Sequence, residues 1–194
     1  MREILTLIIG AVFVNNFVVV QFLGICPFLG VSKKTESAFG MGIAVIFVMT
    51  VASLVTYCLY RYILEPLEIT YLKTIVFIFV IAGLVQILEM VLKKFSPALY
   101  SALGVYLPLI TTNCAILGVA ELNLTSAMVT NVLMATLNGL FSGVGFLVAI
   151  VLLSGVREKV DNLPVAKALK GFPITMICAC FMAMAFYVFG TITL

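Results

Sequence analysis

The 194-residue chain contains no histidine and no tryptophan, and only 10% of its residues are charged. Soluble domains carry about 25% charged residues, so this shortage excludes a water-soluble fold. Without histidine the commonest imidazole ligand and proton relay is missing, and any transition-metal chemistry has to use thiolate or oxygen. The net charge of +3 is small and its carriers are scattered, which removes nucleic acid as a partner. No phosphate-cradling glycine loop, dinucleotide fingerprint or nucleophile–base pair occurs, so NAD and flavin have no recognisable site. The five cysteines are odd in number and follow no secreted disulfide spacing.

What the chain does have is long apolar runs. Six nearly charge-free stretches occupy 4–23, 38–60, 74–92, 95–120, 124–156 and 171–194. Most reach the roughly 20 residues that a helix needs to cross a bilayer. The expected fold is all-α integral membrane, a single membrane domain over 1–194 with six transmembrane helices. The fifth run is too long for one straight span, so part of it has to tilt, lie at the interface or belong to a loop. The first starts just after Arg2, as a signal peptide would, yet runs past Asn15 and Asn16 to Leu23 with no A-x-A cleavage signal. It therefore reads as a retained span.

Lys33, Lys34, Lys93, Lys94, Arg157, Lys159, Lys167 and Lys170 fall in the odd-numbered loops, against Arg2, Arg61 and Lys73 on the other side. Basic residues in short loops mark the cytoplasmic face, which puts both termini outside.

Two stretches share the pattern C-x-x-L-G-V: Cys26 to Val31 and Cys114 to Val119, with the cysteines 88 residues apart. Each follows an apolar run. Three spans per half means that the second half enters from the opposite face, giving two inverted three-helix repeats, approximately 1–94 and 95–194. Sites in such proteins form between interrupted helices at the pseudo-twofold axis. Gly24 and Pro27 are expected to interrupt helix one. Pro108 is expected to interrupt helix four, where Thr111, Thr112 and Asn113 can satisfy freed backbone groups. Cys26 and Cys114 are thus candidate metal and cofactor ligands that meet near mid-bilayer. Iron–sulfur clusters usually take four protein ligands, so two thiols here ask for two more from a second polypeptide. A parallel homodimer, a zinc site built on the same thiolates, a Cys26–Cys114 disulfide and plain packing all stay open on the residues alone.

These residues carry a resemblance. G-I-C-P-F-L-G-V-S-K-K (24–34), V-Q-I-L-E-M (85–90), L-P-L-I-T-T-N-C-A-I-L-G-V (107–119) and V-R-E-K (156–159) resemble the RnfA/NqrE family. Its members are membrane subunits of the Rnf ion-translocating ferredoxin:NAD oxidoreductase and of the sodium-pumping NADH:quinone reductase, and the residues here stand closer to the Rnf form. The resemblance implies a prokaryotic cytoplasmic-membrane protein and a [2Fe–2S] cluster held by Cys26 and Cys114 with two cysteines of a homologous, RnfE-like subunit of opposite topology. It further implies RnfB, RnfC, RnfD and RnfG as partners, and electron passage coupled to Na⁺ or H⁺ transport. The chain would then be part of a redox-driven ion translocase without a complete active site of its own.

The other polar and small residues have plainer readings. Cys58, Cys178 and Cys180 are expected to pack, and the last two, being two apart, point to different helix faces. Asn15, Asn16, Gln86, Asn131 and Asn138 are expected to bond inside the bundle. Glu89 is a candidate cation-attracting carboxylate or an ordinary pair with Lys93. Ala135, Gly139 and Gly143 form a small-residue stripe, with a contact to another subunit slightly favoured. Asn123-Leu124-Thr125 matches a glycosylation sequon. Three functions compete: an electron-transfer subunit, a stand-alone secondary transporter without a redox centre, and a non-catalytic scaffold.

Overall fold

A computed structural model describes residues 10–14, 16–66, 70–95, 107–126, 129, 131–162, 164 and 170–192. Their regular elements are all helical, with no strand among the described residues. We number the α-helices α1 Ile25–Val31, α2 Thr35–Leu59, α3 Lys73–Phe95, α4 Leu107–Thr111, α5 Cys114–Thr125, α6 Val132–Asp161 and α7 Phe172–Ile192. A π-turn at Gly10–Val14 precedes them, and a π-segment at Tyr60–Leu64 extends α2.

Three helical stretches among the described residues are long and apolar enough to cross a membrane: Thr35–Leu64, Lys73–Val91 and Val132–Asp161. The over-long fifth run resolves into three parts. Its first residues finish α5, the chain turns extended at Ser126, and α6 takes up the rest. At 30 residues α6 is about 45 Å long, so it either tilts or projects beyond the hydrocarbon. Residues 96–106, 163 and 165–169, which hold the start of the fourth run and part of the fifth loop, lie outside the described residues, as do Asn15 and residues 1–9 of the first run.

The centre of the fold is α2 packed along α6. Gly42 faces Leu147, Ile46 faces Gly143, and Met49 and Ser53 face Gly139. As numbers rise on one helix they fall on the other, so the pair is antiparallel. A Cβ on Gly143 would stand 2.8 Å from Ile46 Cα, and one on Gly139 would stand 2.9 Å from the Met49 carbonyl oxygen. Only glycine lets two helix backbones come this close. The small-residue stripe therefore serves an internal contact, not the contact between subunits that the sequence slightly favoured. Met41, Val45, Met49 and Ala52 on α2 and Phe146, Ala149, Ile150 and Leu153 on α6 complete this core.

The outward faces are apolar too. Phe39, Ile43 and Phe47 on α2, Ile75 and Phe79 on α3, and Phe181 and Tyr187 on α7 are exposed. Exposed apolar patches of this extent suit lipid or protein cover. Several buried polar side chains are instead bonded inside. Asn138 Nδ2 donates to Asn123 Oδ1 at 2.7 Å, and Asn123 Nδ2 to the Ala135 carbonyl at 3.4 Å. Asn123 is 1% exposed, so the sequon has no accessible acceptor nitrogen. Asn16 and Asn138 bond internally as expected, whereas Gln86 and Asn131 are exposed.

Loops pair across the bundle in two sets. Lys73 Nζ lies 2.9 Å from Glu121 Oε2, and Thr74 Oγ1 donates to Glu121 Oε1 at 2.6 Å. At the other end, Thr35 Oγ1 donates to Glu158 Oε2 at 3.1 Å, and Arg157 reaches Leu29 and Ser32. The second and fourth loops thus share one face and the first and fifth the other.

Candidate functional site

The chain breaks at two places. After Val14 it leaves the helix through turns held by Asn16, which is fully buried. Asn16 Nδ2 donates to the Val12 and Gly145 carbonyls at 3.0 and 2.9 Å, and its Oδ1 accepts from Val18 and Val19 N–H. Its amide thus bonds the backbone on both sides of the break and ties that turn to Gly145 inside α6. The helix resumes at Ile25, so Pro27 lies in the first turn of α1, where an N–H has no helical acceptor anyway. Pro27 does not interrupt the helix, contrary to expectation; the interruption lies upstream, at 16–24. Pro108 lies within α4, and the second break falls at Thr112 and Asn113. Asn113 caps α5, its Oδ1 accepting the Ala115 N–H at 3.1 Å.

These two breaks touch. The Gly24 N–H donates to Cys114 Sγ at 3.3 Å. Gly24 has φ +78°, and a Cβ there would stand 2.8 Å from Asn113 Oδ1 and 3.0 Å from Ala115 Cβ. A side chain is excluded both by the left-handed backbone and by the approach of the second loop. The glycines of the two motifs repeat the relation. Gly118 lies against Leu23, with only 2.6 Å to an added Cβ, and Gly30 lies against Leu109. Each motif therefore packs on the segment that precedes the cysteine of the other.

From this junction the half-helices diverge. The C-terminal end of α1 reaches Arg157, which donates to the Leu29 carbonyl and to Ser32 Oγ, both at 3.1 Å. Near the end of α5, Glu121 meets Lys73 on the opposite face. Two helix N-termini consequently point inward at one place, and aligned peptide dipoles make such a place favourable for negative charge. Cys26, in the first turn of α1, and Cys114, the first residue of α5, are both free and exposed. Two soft sulfur donors that open outward from such a junction are suited to hold a thiophilic metal jointly with another chain. Among the described residues no three of His, Cys, Asp and Glu are grouped closely enough to hold a metal within this chain.

The remaining candidates lie elsewhere. Cys178 packs against the core, whereas Cys180, expected to pack, is exposed. Glu89 is half-buried in the last third of α3. Gly24 and Asn113 were both expected at the helix breaks, but the contact between them was not: Gly24 is required for that contact as well as for a break, and Asn113 is 4% exposed with its Nδ2 lacking any partner among the described residues. The S/T/N-before-helix pattern signals the cap at Asn113, but not the spare donor.

A family model described as Rnf-Nqr subunit, membrane protein, matches residues 4–193. The chain is 55% identical, over 95% of both chains, to a protein of Acetobacterium woodii named as one subunit of the Na(+)-translocating ferredoxin:NAD(+) oxidoreductase complex. It is 52% identical to a subunit of the ion-translocating oxidoreductase complex of Syntrophotalea carbinolica, over 98% of this chain and 97% of that one. The protein of the same name from Aliivibrio salmonicida is 53% identical, over 96% and 95%.

Proposed function

The chain belongs to the Rnf-Nqr family of membrane subunits, and on that basis we propose that it is the RnfA-type member of an ion-translocating ferredoxin:NAD oxidoreductase complex in a prokaryotic cytoplasmic membrane. Its task is to carry electrons through the bilayer at a [2Fe–2S] cluster shared with a homologous subunit, coupled to Na⁺ or H⁺ transport. When bound, such a cluster supplies one-electron transfer at a potential set by its surroundings.

The observation that supports this reading best is the Gly24 N–H bond to Cys114 Sγ, which joins the two cysteine loops. Cys26 and Cys114 each offer one thiolate, and their exposure leaves room for two more from the facing subunit. The residues fit the group: soft donors, an N–H already directed at one sulfur, and inward helix N-termini that favour anionic sulfur. The two halves, approximately 1–94 and 95–194, run in opposite directions, and the antiparallel contact of α2 with α6 supports that reading. A cluster held by Cys26 and Cys114 would supply one-electron transfer, and the negative charge it would gain inside the bilayer would be costly. Cation uptake, or a movement of the two halves against each other, would offset that cost and so couple the flows. Electrons enter from an iron–sulfur protein on the cytoplasmic side and leave toward a flavin-bearing subunit outside, with both termini of this chain on the outer face.

EPR of the reduced, purified complex tests the assignment. An iron–sulfur signal is expected in the native complex and is expected to disappear in Cys26→Ser and in Cys114→Ser. Persistence of the signal in either variant would remove that cysteine from the ligand set.

A further inference from the structure

The break before α1 turns an aromatic ring outward. Among the described residues Phe22 alone combines a side chain with a positive φ, at +56°, and it is 59% exposed. A bulky residue in the left-handed region is strained, and it persists only where its surroundings hold it there. Its neighbours do so. Phe17, Val18 and Val19 are buried, the Leu23 N–H donates to the Phe17 carbonyl at 2.8 Å, and Leu23 lies against Gly118. Gly24 is fixed beside Cys114. With the backbone pinned on both sides, Gln21 and Phe22 are left outside. Neither of their N–H groups has a backbone acceptor among the described residues.

This turn lies at membrane depth. From the junction, α1 runs seven residues, about 10 Å, toward the face where Arg157 stands. The stretch from Cys114 to Glu121 rises about as far toward the other face. Lipid cannot satisfy irregular backbone or bare N–H groups, so a protein segment has to cover them. Position identifies that protein. Phe22 is two residues from Gly24, whose N–H lies 3.3 Å from Cys114 Sγ, so the Phe22 Cα is within about 10 Å of that sulfur. A chain that brings ligands to Cys26 and Cys114 therefore reaches this turn as well.

We propose that Phe22 anchors the contact with the homologous subunit that completes the thiol set. Its ring enters an apolar pocket of that subunit, whose oxygen atoms accept from the Gln21 and Phe22 N–H groups. This rests on the shared ligand set of the proposed function. Aromatic side chains seated in pockets near the centre of an interface carry a large part of its binding energy. A ring already held out by its backbone loses little freedom on docking.

The test uses the intact complex in two measurements. The first is Phe22→p-benzoylphenylalanine, irradiated in native membranes. A covalent adduct between this chain and the homologous subunit is expected. Adducts to lipid alone, to a second copy of this chain or to any other subunit overturn the proposal. In the second, Phe22→Asn removes the ring while suiting the positive φ, since asparagine tolerates the left-handed region. The homologous subunit retained per copy of this chain through purification should fall at least about fivefold, and native retention overturns the proposal. The benzophenone keeps an aromatic ring at position 22, so the first measurement reads the contact even where Phe22→Asn does not assemble. The ligand assignment fails separately. An adduct with the homologous subunit, together with an iron–sulfur signal that survives Cys114→Ser, keeps the Phe22 contact and removes the shared cluster. A lipid-only adduct with that signal lost in Cys114→Ser removes the contact and keeps the cluster.

Discussion

The Gly24 N–H and Cys114 Sγ lie 3.3 Å apart, 90 residues distant along the chain. One atom belongs to the turn that precedes α1 and the other to the first residue of α5. This single bond places both cysteine motifs at one junction, and several expectations can be tested around it.

Gly24→Ala should damage the junction at its closest point. The new Cβ would stand 2.8 Å from Asn113 Oδ1, and the left-handed φ of +78° adds strain. Together the two effects should cost on the order of 1–3 kcal/mol. Thermal unfolding of the detergent-solubilised complex should show the lower midpoint, and iron content should drop with it. An alanine variant as stable and as iron-loaded as the native protein would show that the two loops do not approach as described.

The α2–α6 seam should be sensitive at Gly143. An alanine there meets Ile46 Cα at 2.8 Å, which is backbone and cannot swing aside. The helices must separate, for about 1–3 kcal/mol of overpacking. Gly155→Ala serves as the control, because nothing lies within 4 Å of its added Cβ. Alanine there should hold or slightly raise stability, since it is the better helix former. Equal losses at both positions in a melting assay would contradict the seam.

Arg157 is 7% exposed and ties the end of α1 to α6 through the Leu29 carbonyl and Ser32 Oγ. Arg157→Met preserves much of the packing volume but leaves both acceptors without that donor, at a cost of about 1–3 kcal/mol. Because α1 carries Cys26, the loosened helix should also change the rate of maleimide labelling at Cys26 in a variant whose other cysteines are replaced. Labelling at the native rate with unaltered stability would leave Arg157 with no anchoring role.

The Lys73–Glu121 pair gives a pH dependence. Burial pushes the Glu121 carboxyl up, but the Thr74 hydroxyl and the hydrogen bond and charge of Lys73 outweigh it, and the group settles below the ordinary value of 4.5. A depressed carboxylate stabilises the folded state above its unfolded value and loses that contribution as pH falls through the lowered one. Both side chains are roughly one-third exposed, so the effect should be at most about 1 kcal/mol. Comparing Glu121→Gln with the native chain, melting temperatures should differ near neutral pH and converge below pH 4.5. A constant offset across that range would assign the effect to packing instead of charge.

Much of this was legible in the residues. Charge-free runs predicted α2, α3 and α6, because a backbone in lipid must satisfy its own hydrogen bonds and a helix of about 20 residues does so. The repeated C-x-x-L-G-V marked both cysteines as a matched pair. Pro27 misled, since it was expected to interrupt a helix and instead lies in the first turn of one. Proline forbids a helical interior but suits a first turn, and which of the two applies depends on where the preceding residues stop being helical. The Ala135, Gly139 and Gly143 stripe announced close packing without naming its partner.

The amino-acid sequence by itself determined that this is a helical membrane protein with two equivalent thiols near helix breaks, because hydropathy and backbone chemistry act locally. Only the tertiary structure decided that Gly24 touches Cys114, that Ile46 fills the space beside Gly143, and that Asn123 is shut away while Asn113 keeps a spare donor. Those relations depend on which surfaces remain after α2 and α6 close on each other, and distances between segments 90 residues apart are set by that packing, not by any neighbouring residue.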